Sequence, residues 1–432
     1  MKDKIKIVWL CTVSNPQIRQ HLTFEKSTPL SFLKKLQRKS DQTDKAIWNT
    51  NGIKEFEQFE DTELHIISFH DGIKHSIQEF QINNIFYHIL KDEDDTFIGK
   101  VKKKLKYNKS LQYIKNRKII KETIEKINPD IINLIGAENP HYSTGILDLD
   151  KNIPIYLTLQ TLMSQPNFKK NYPISDATYN YRTFYEKEVI KRANYLGSRS
   201  LINAQFIKKE IYPQIPVLKT GIALGEEIFK EKTTREYDFV YNALDISKAG
   251  DHAIEAFALV HKKYPNTTLY LVGGYSQETK RNLDLKIKES DIQNAVIFSG
   301  KLQNHTEVIN EIRKARFSIL PFKVDILPTT LREAMANGLP VVSVETYKTI
   351  ELNNKRESIL LSEIGNIQGL ADNMEKLLIN DDYANMIKCN AFQTCEEMYN
   401  NHKSMRNLVE AYKAAIDHFN NDTPIPEELL LL

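Results

Sequence analysis

Short runs of four to seven apolar residues, each closed by a glycine, a proline or a polar turn, alternate along this chain with longer helical stretches. In the latter, apolar positions recur every three or four residues. The second half is the clearest: DFVYNA, TLYLVGG, VIFSG, RFSILPF and PVVSVE read as strands. Between them, DHAIEAFALVHKKY, QETKRNLDLKIKES, TEVINEIRKA and PTTLREAMANG read as helices. Uninterrupted apolar runs of this length suit strands buried on both faces. Strand, helix and strand at this spacing predict right-handed crossovers and a parallel sheet.

The first half repeats the theme with IKIVWL, ELHIISF, IFYHIL, DIINLIG and IPIYLTL as strands. AIWNTNGIKEFEQFE, SLQYIKNRKIIKETIEKI and YNYRTFYEKEVIKRA read as its helices. The pattern therefore predicts an α/β chain of two facing, Rossmann-like, doubly wound domains joined near Thr220–Arg235. The division is residues 1–220, then 221–403, then a C-terminal segment 404–432. A last long helix near Ser404–Asn420 is expected to pack back on the first domain, and the tail NNDTPIPEELLLL has no assigned role. Ligands on such sheets bind outside the carboxyl ends of the strands, so an interdomain cleft is the expected site.

Composition narrows the function classes. The 432 residues are 41% apolar and 27% charged, enough for two ordinary cores. A formal charge of +3 argues against nucleic-acid binding by the surface as a whole. Three cysteines, Cys11, Cys389 and Cys395, show no CxxC or Cys/His spacing, so neither a disulfide framework nor a metal site is predicted, and a reducing cytoplasm fits. The opening MKDKIKIVWLCTV superficially suggests a signal peptide. Its apolar run is too short, though, and polar SNPQIRQ follows, so it reads as the first buried strand. No stretch has the apolar length of a membrane span.

Candidate chemistry concentrates in FSILPFKVDILPTTLREAMANGLPVVSVE, from Phe317 to Glu345. A strand leads into a loop with Lys323 and Asp325, and a helix opens at Pro328 and stops at Gly338. Leu327 has no side chain that caps the helix, which leaves the N–H groups of Thr329, Thr330 and Leu331 for solvent or an anion. Such a helix start at a strand's carboxyl end is a natural phosphate seat. Glu333, one turn in, is placed to accept hydrogen bonds from a ribose diol, and Asp325 to reach hydroxyls of a sugar beside the diphosphate. Two solvated surface carboxylates are the competing reading. Lys248, in the loop LDISKAGD before a helix, suits a diphosphate leaving group, against the alternative of a surface lysine. Gly273 and Gly274 would let a nucleotide approach the backbone, although a turn explains the pair equally well. The absence of GxGxxG and of a P-loop counts against a dinucleotide dehydrogenase or NTPase.

In that order, SKAGDHAIEAF, TLYLVGG, VIFSGKL, ARFSILPF and LREAMANGLPVVSV resemble the C-terminal half of family-4 retaining glycosyltransferases with the GT-B fold. INPDIINLIGAENPHYS and EKEVIKRANYLGSRS are similar to that family's acceptor domain, and IVWLCTVSNPQIRQHL to a branch concerned with bacterial surface polysaccharides. The family carries two acidic residues with seven between, positions held here by Asp325 and Glu333. The resemblance implies that Glu333 holds the nucleotide ribose, that Asp325 contacts the donor sugar and that Lys248 meets the diphosphate. Three departures stand out. Asp325 stands where the family usually has Glu, which shortens the reach to the donor sugar by one methylene. Ala243 replaces the arginine usually found five residues before the lysine, with Lys323 a candidate substitute, and LIGAEN lacks the histidine common after the fourth strand. Glu138, Asn139 and His141 are the nearby acceptor-side candidates.

What the resemblance implies is metal-independent transfer with retention, from a nucleotide-diphosphate sugar as co-substrate and without a further cofactor, to a glycan or lipid-linked acceptor. The stretch Lys100 to Lys118, KVKKKLKYNKSLQYIKNRK, interleaves cations with Tyr107, Leu111, Tyr113 and Ile114. It suits an anionic membrane surface, or alternatively a solvated loop and an ordinary amphipathic helix. A cytoplasmic enzyme, peripheral at the inner face of the cell membrane, is the resulting expectation. The competing classes are a nucleotide-sugar-binding protein without transferase activity, a sugar-nucleotide epimerase or phosphorylase of the same plan, and a membrane-associated scaffold.

Overall fold

The computed structural model describes residues 4–25, 44–70, 72–92, 113–171, 174–221, 223, 234–242, 249–322 and 329–432. The chain forms two compact units, one from Met1–Ala223 with Asn401–Leu432, the other from Leu224–Asn400.

Eight strands make the sheet of the first unit: β1 (Ile5–Leu10), β2 (Thr62–Phe69), β3 (Ile77–Ile82), β4 (Ile85–Leu90), β5 (Ile131–Ile135), β6 (Ile155–Thr158), β7 (Tyr195–Ser198) and β8 (Val217–Lys219). They lie in the order β3-β4-β2-β1-β5-β6-β7-β8. Strand order reverses between β1 and β5, which pair in parallel with Ile7 opposite Ile131. Successive residues of β1 serve opposite faces, as pleating demands. Ile7 and Trp9 join one core cluster, Val8 and Leu10 the other. The first face is covered by the helix Asn401–Asn421, whose Met405, Leu408, Val409, Tyr412 and Ala415 form a buried stripe at helical spacing. Tyr412 Oη accepts from Trp9 Nε1 at 3.1 Å and from Asn133 Nδ2 at 2.5 Å. Beyond this helix, Leu431 N donates to Val217 O at 2.8 Å, so the tail covers the open edge of β8.

The first sheet is parallel but for one strand at its edge. β3 is antiparallel to β4 and was not legible as a strand, since Gln78, Glu79 and Gln81 break up the apolar positions of IQEFQI, which is half exposed. The short strands β7 and β8 also escape the apolar pattern.

The second unit is a six-stranded, all-parallel sheet. Its strands are β9 (Tyr237–Tyr241), β10 (Leu269–Val272), β11 (Val296–Gly300), β12 (Ala315–Leu320), β13 (Val341–Val344) and β14 (Leu360–Ser362), ordered β11-β10-β9-β12-β13-β14. Phe239 sits at the centre, opposite Leu269 on one side and Phe317 on the other. Helices Gly250–Lys263, Gln277–Glu289, His305–Ile312, Thr329–Ala336 and Ile367–Ile379 enclose it. The strand order reverses between β9 and β12, so ligand binding is expected outside the carboxyl ends of those two strands.

Candidate functional site

In the second unit, β12 delivers the chain to Pro321 and to Phe322, whose side chain is fully buried. Asp325, Lys323, Leu327 and Pro328 lie outside the described residues, as do Ala243 and Lys248. The helix Thr329–Ala336 ends as the sequence predicts: Gly338 has φ +69°, and Gly338 N and Leu339 N close on Met335 O and Ala334 O.

Glu333 is not a solvated carboxylate. It is 4% exposed, and its Oε1 lies 3.1 Å from His305 Nε2. His305 opens the helix after β11, whose N-cap is Asn304, and β10 and β9 separate β11 from β12 in the sheet. The Glu333–His305 contact therefore spans the carboxyl edge where β9 runs into Asn242 and β10 into Gly273. Gly273 adopts φ +123°, a backbone state that favours glycine, and its N–H donates to Ser299 Oγ at 3.0 Å. A Cβ on Gly274 would sit 3.3 Å from Lys301 Cγ, a tight approach.

Three features of this edge were not anticipated from sequence. Asn242 is 8% exposed, yet among the described residues neither atom of its side-chain amide has a hydrogen-bond partner. Thr330 Oγ1 is buried in the same state, whereas Leu331 is spent on the core. Arg332 is fully buried. Its guanidinium lies 5.0 Å from the centre of the Tyr399 ring and reaches back to Thr329 Oγ1 at 3.5 Å, while Nε has no partner among the described residues. A buried amide and a buried cation left this open are costly unless something fills the space beside them. The only sequence signals were a polar residue closing an apolar strand and a cation one position before Glu333.

In the first unit the three acceptor-side candidates cluster just past β5. Gly136 turns the chain with φ +89°, and Asn139 precedes the short helix Pro140–Ser143. Arg182, from the helix Asp176–Arg192, donates from Nε to Glu138 O at 2.8 Å and from Nη2 to Asn139 Oδ1 at 3.0 Å. Asn139 Nδ2 donates to Glu138 Oε1 at 3.2 Å, while Oε2 is buried without a partner among the described residues. Burial, and secondarily the neighbouring Glu186, push the Glu138 carboxyl up to about 7, against the pull of backbone N–H groups and Arg182. His141 is used differently: its ring packs edge-on against Phe69 and Tyr142, and its carbonyl accepts from Asn116 Nδ2.

Of the basic stretch, residues 100–112 lie outside the described residues. At its described end, Tyr113 is buried near Tyr181 and Tyr185, and Arg117 pairs with Asp148. Among the described residues, no group of three or more His, Cys, Asp or Glu is arranged to hold a metal ion, and no helix is long and apolar enough to cross a membrane.

Residues 226–394 match the family model described as glycosyl transferases group 1. A relative from Haemophilus influenzae, described as an uncharacterized glycosyltransferase, is 29% identical over 136 residues, 31% of this chain and 37% of that protein. The matched part thus spans little more than a third of the relative's length. Sucrose-phosphate synthase from Thermosynechococcus elongatus superimposes with a TM-score of 0.65 at 14% identity, covering 95% of this chain and 98% of that one. An Anabaena protein, HepE, solved in complex with UDP and glucose, gives a TM-score of 0.63 at 14% identity, covering 95% and 99%. These likenesses show the fold, two parallel-sheet α/β domains of the GT-B type.

Proposed function

We propose that the chain is a retaining, metal-independent glycosyltransferase. It moves a sugar from a nucleoside-diphosphate donor to a hydroxyl of a glycan or lipid-linked acceptor, in the assembly of a bacterial surface polysaccharide. The observation that carries this reading is Glu333, a buried carboxylate on the helix that follows β12, with Oε1 3.1 Å from His305 Nε2. It lies inside the segment that matches the glycosyl transferase family. A carboxylate held there suits a ribose diol, because ionised Glu offers only acceptors and a diol offers two donors.

Charge development supports the same assignment. The departing nucleoside diphosphate gains the most negative charge, and the first N–H groups of the helix at Thr329, with Lys248 from the loop before Gly250, are the groups proposed to stabilise it. Asp325 is proposed to contact the donor sugar, and Lys323 to supply the charge that Ala243 lacks. The HepE structure, which holds UDP and glucose on the same fold, is consistent with such a donor. The basic stretch Lys100–Lys118 is proposed to bring the enzyme to the cytoplasmic face of an anionic membrane.

Diphosphate release from UDP-, GDP- and ADP-sugars, with and without Glu333→Ala and with excess EDTA, tests the reading. Release from one donor, abolished by the substitution and indifferent to EDTA, is expected. Tight nucleotide binding without release, even with glycan or lipid acceptors present, would favour a binding protein. A chain that binds no nucleotide would refute the assignment.

A further inference from the structure

Two glutamates are buried side by side in the first unit, and their surroundings differ. Glu186 is fully buried and fully used: Oε1 accepts from Met163 N at 2.7 Å, and Oε2 from Ser164 N at 2.8 Å and from Ser164 Oγ. It ties the loop after β6 to the helix Asp176–Arg192. Glu138 is also buried. Oε1 accepts from the amide of Asn139, and the backbone N–H groups of Ala137 and Glu138 draw on the carboxylate, yet Oε2 has no hydrogen-bond partner among the described residues. A guanidinium is at hand in Arg182, but two of its nitrogens bond the Glu138 carbonyl and Asn139 Oδ1 rather than the carboxylate. The local backbone leaves room for the open oxygen. A Cβ on Gly136 would fall 2.9 Å from Glu138 Oε2 and 2.8 Å from Tyr142 Oη, so only glycine fits beneath the carboxyl group. Glu138 follows β5, on the side where strand order reverses against β1, the place where open α/β sheets take their ligands.

A carboxyl group that is buried, half satisfied and clear of its nearest cation gains nothing for the fold, since an unfilled acceptor is a cost. What fills it must present a hydrogen-bond donor of modest size. We propose that Glu138 is the hydroxyl-binding residue of the first unit. Its ionised carboxylate accepts a hydrogen bond from an acceptor hydroxyl at Oε2, and its protonation releases that hydroxyl. This rests on the transferase reading, which makes the first unit the acceptor side. The pH range follows from the environment: burial raises Glu138 to about 7. The other titratable or charged groups around it are Arg182, Tyr142, Cys11 and Glu186. Arg182 is engaged as described, Tyr142 on the next helix is pushed well above the ordinary phenol range, and Cys11 at the end of β1 is driven up by burial. Burial also raises Glu186, whose three donors hold it in place.

The test uses the full-length chain with octyl glucoside, octyl galactoside and octyl N-acetylglucosaminide, below their micellar concentrations, as hydroxyl probes. Binding is followed by saturation-transfer NMR between pH 5.5 and 8.5. Affinity of the wild type is expected to fall about tenfold per pH unit below about 7, because only the ionised form binds. Glu138→Gln keeps the shape and one acceptor but does not titrate, so its affinity is expected to be flat with pH. Glu186→Gln, a structural control, is expected to lower the thermal midpoint and to keep the slope. A wild-type affinity flat with pH, a slope that persists in Glu138→Gln, or a wild type that holds none of the probes overturns the proposal. Acceptor-independent diphosphate release by the wild type is measured on the same samples and reports on the transferase reading separately. If release is present while probe binding is flat, Glu138 alone loses its role. If no nucleotide is bound, the transferase reading falls with it.

Discussion

Replacing Glu138 by Gln isolates an ionisation that the folded state resists, and its size follows from the structure. The carboxyl rises from an ordinary 4.5 to about 7 in the folded chain. A group whose folded value is raised binds its proton more tightly when folded. Its penalty is absent below pH 4.5, grows as the unfolded chain ionises first, and is complete above 7. At about 1.4 kcal/mol per pH unit, the wild type gives up about 3 kcal/mol across that window. Glutamine has nothing to ionise, so the variant should lose none of it. Stability of Glu138→Gln relative to wild type is therefore expected to increase by about 3 kcal/mol between pH 4.5 and 7.5. Both tryptophans, Trp9 and Trp48, belong to the first unit, so fluorescence in urea follows that unit selectively. Midpoints for both proteins at four pH values give the difference directly. A difference that stays within about 1 kcal/mol over the range, or shrinks as pH rises, would refute the argument that burial governs this carboxyl.

Tyr412→Phe should cost the first unit about 2–4 kcal/mol in the same fluorescence assay, because Trp9 Nε1 and Asn133 Nδ2 both lose their acceptor. A loss below about 0.5 kcal/mol would mean that water replaces the hydroxyl. Arg332→Met should raise the calorimetric midpoint of the second unit, with a gain of about 1–3 kcal/mol, since a buried guanidinium with few partners gives way to an apolar chain of similar length. A lowered midpoint would show that stacking on Tyr399 outweighs the desolvation. Gly136→Ala should destabilise the first unit by about 2 kcal/mol or more, through the positive φ and the collision with the Glu138 carboxyl. Retained stability would show that this turn tolerates a methyl group.

The second unit was legible because β9, β10, β12 and β13 are largely buried and half-buried β11 still carries Val296, Ile297 and Phe298 in succession, so each registers as a short, mostly apolar run. β3 was not, because an antiparallel edge strand such as IQEFQI needs only one dry side. β14, three residues long, is too short to register as a pattern. In the site, Glu333 could be singled out from local spacing, since a helix start and its first turns are contiguous in the chain. His305 could not be, because strand order and not sequence brings it to Glu333. Asn242 and Arg332 were missed for a related reason: the sequence gives residue type, while the lack of partners appears only once the surroundings are assembled. Glu138 stood among three candidates, and burial is what separates it from His141.

The route of the chain has a consequence for biosynthesis. The second unit, Leu224–Asn400, is inserted between two parts of the first, and the helix Asn401–Asn421 that covers one face of the first sheet is translated only after it. At about 5–20 residues per second, about 180 residues separate the end of Met1–Ala223 from that helix on the ribosome, a delay of about 9–36 s. During that interval the face bearing Ile7 and Trp9 is without its cover, while the inserted unit has every one of its own strands. The second-made half is therefore the first able to finish folding. A circular permutant that begins with residues 401–432 would remove the wait and should fold with less dependence on chaperones.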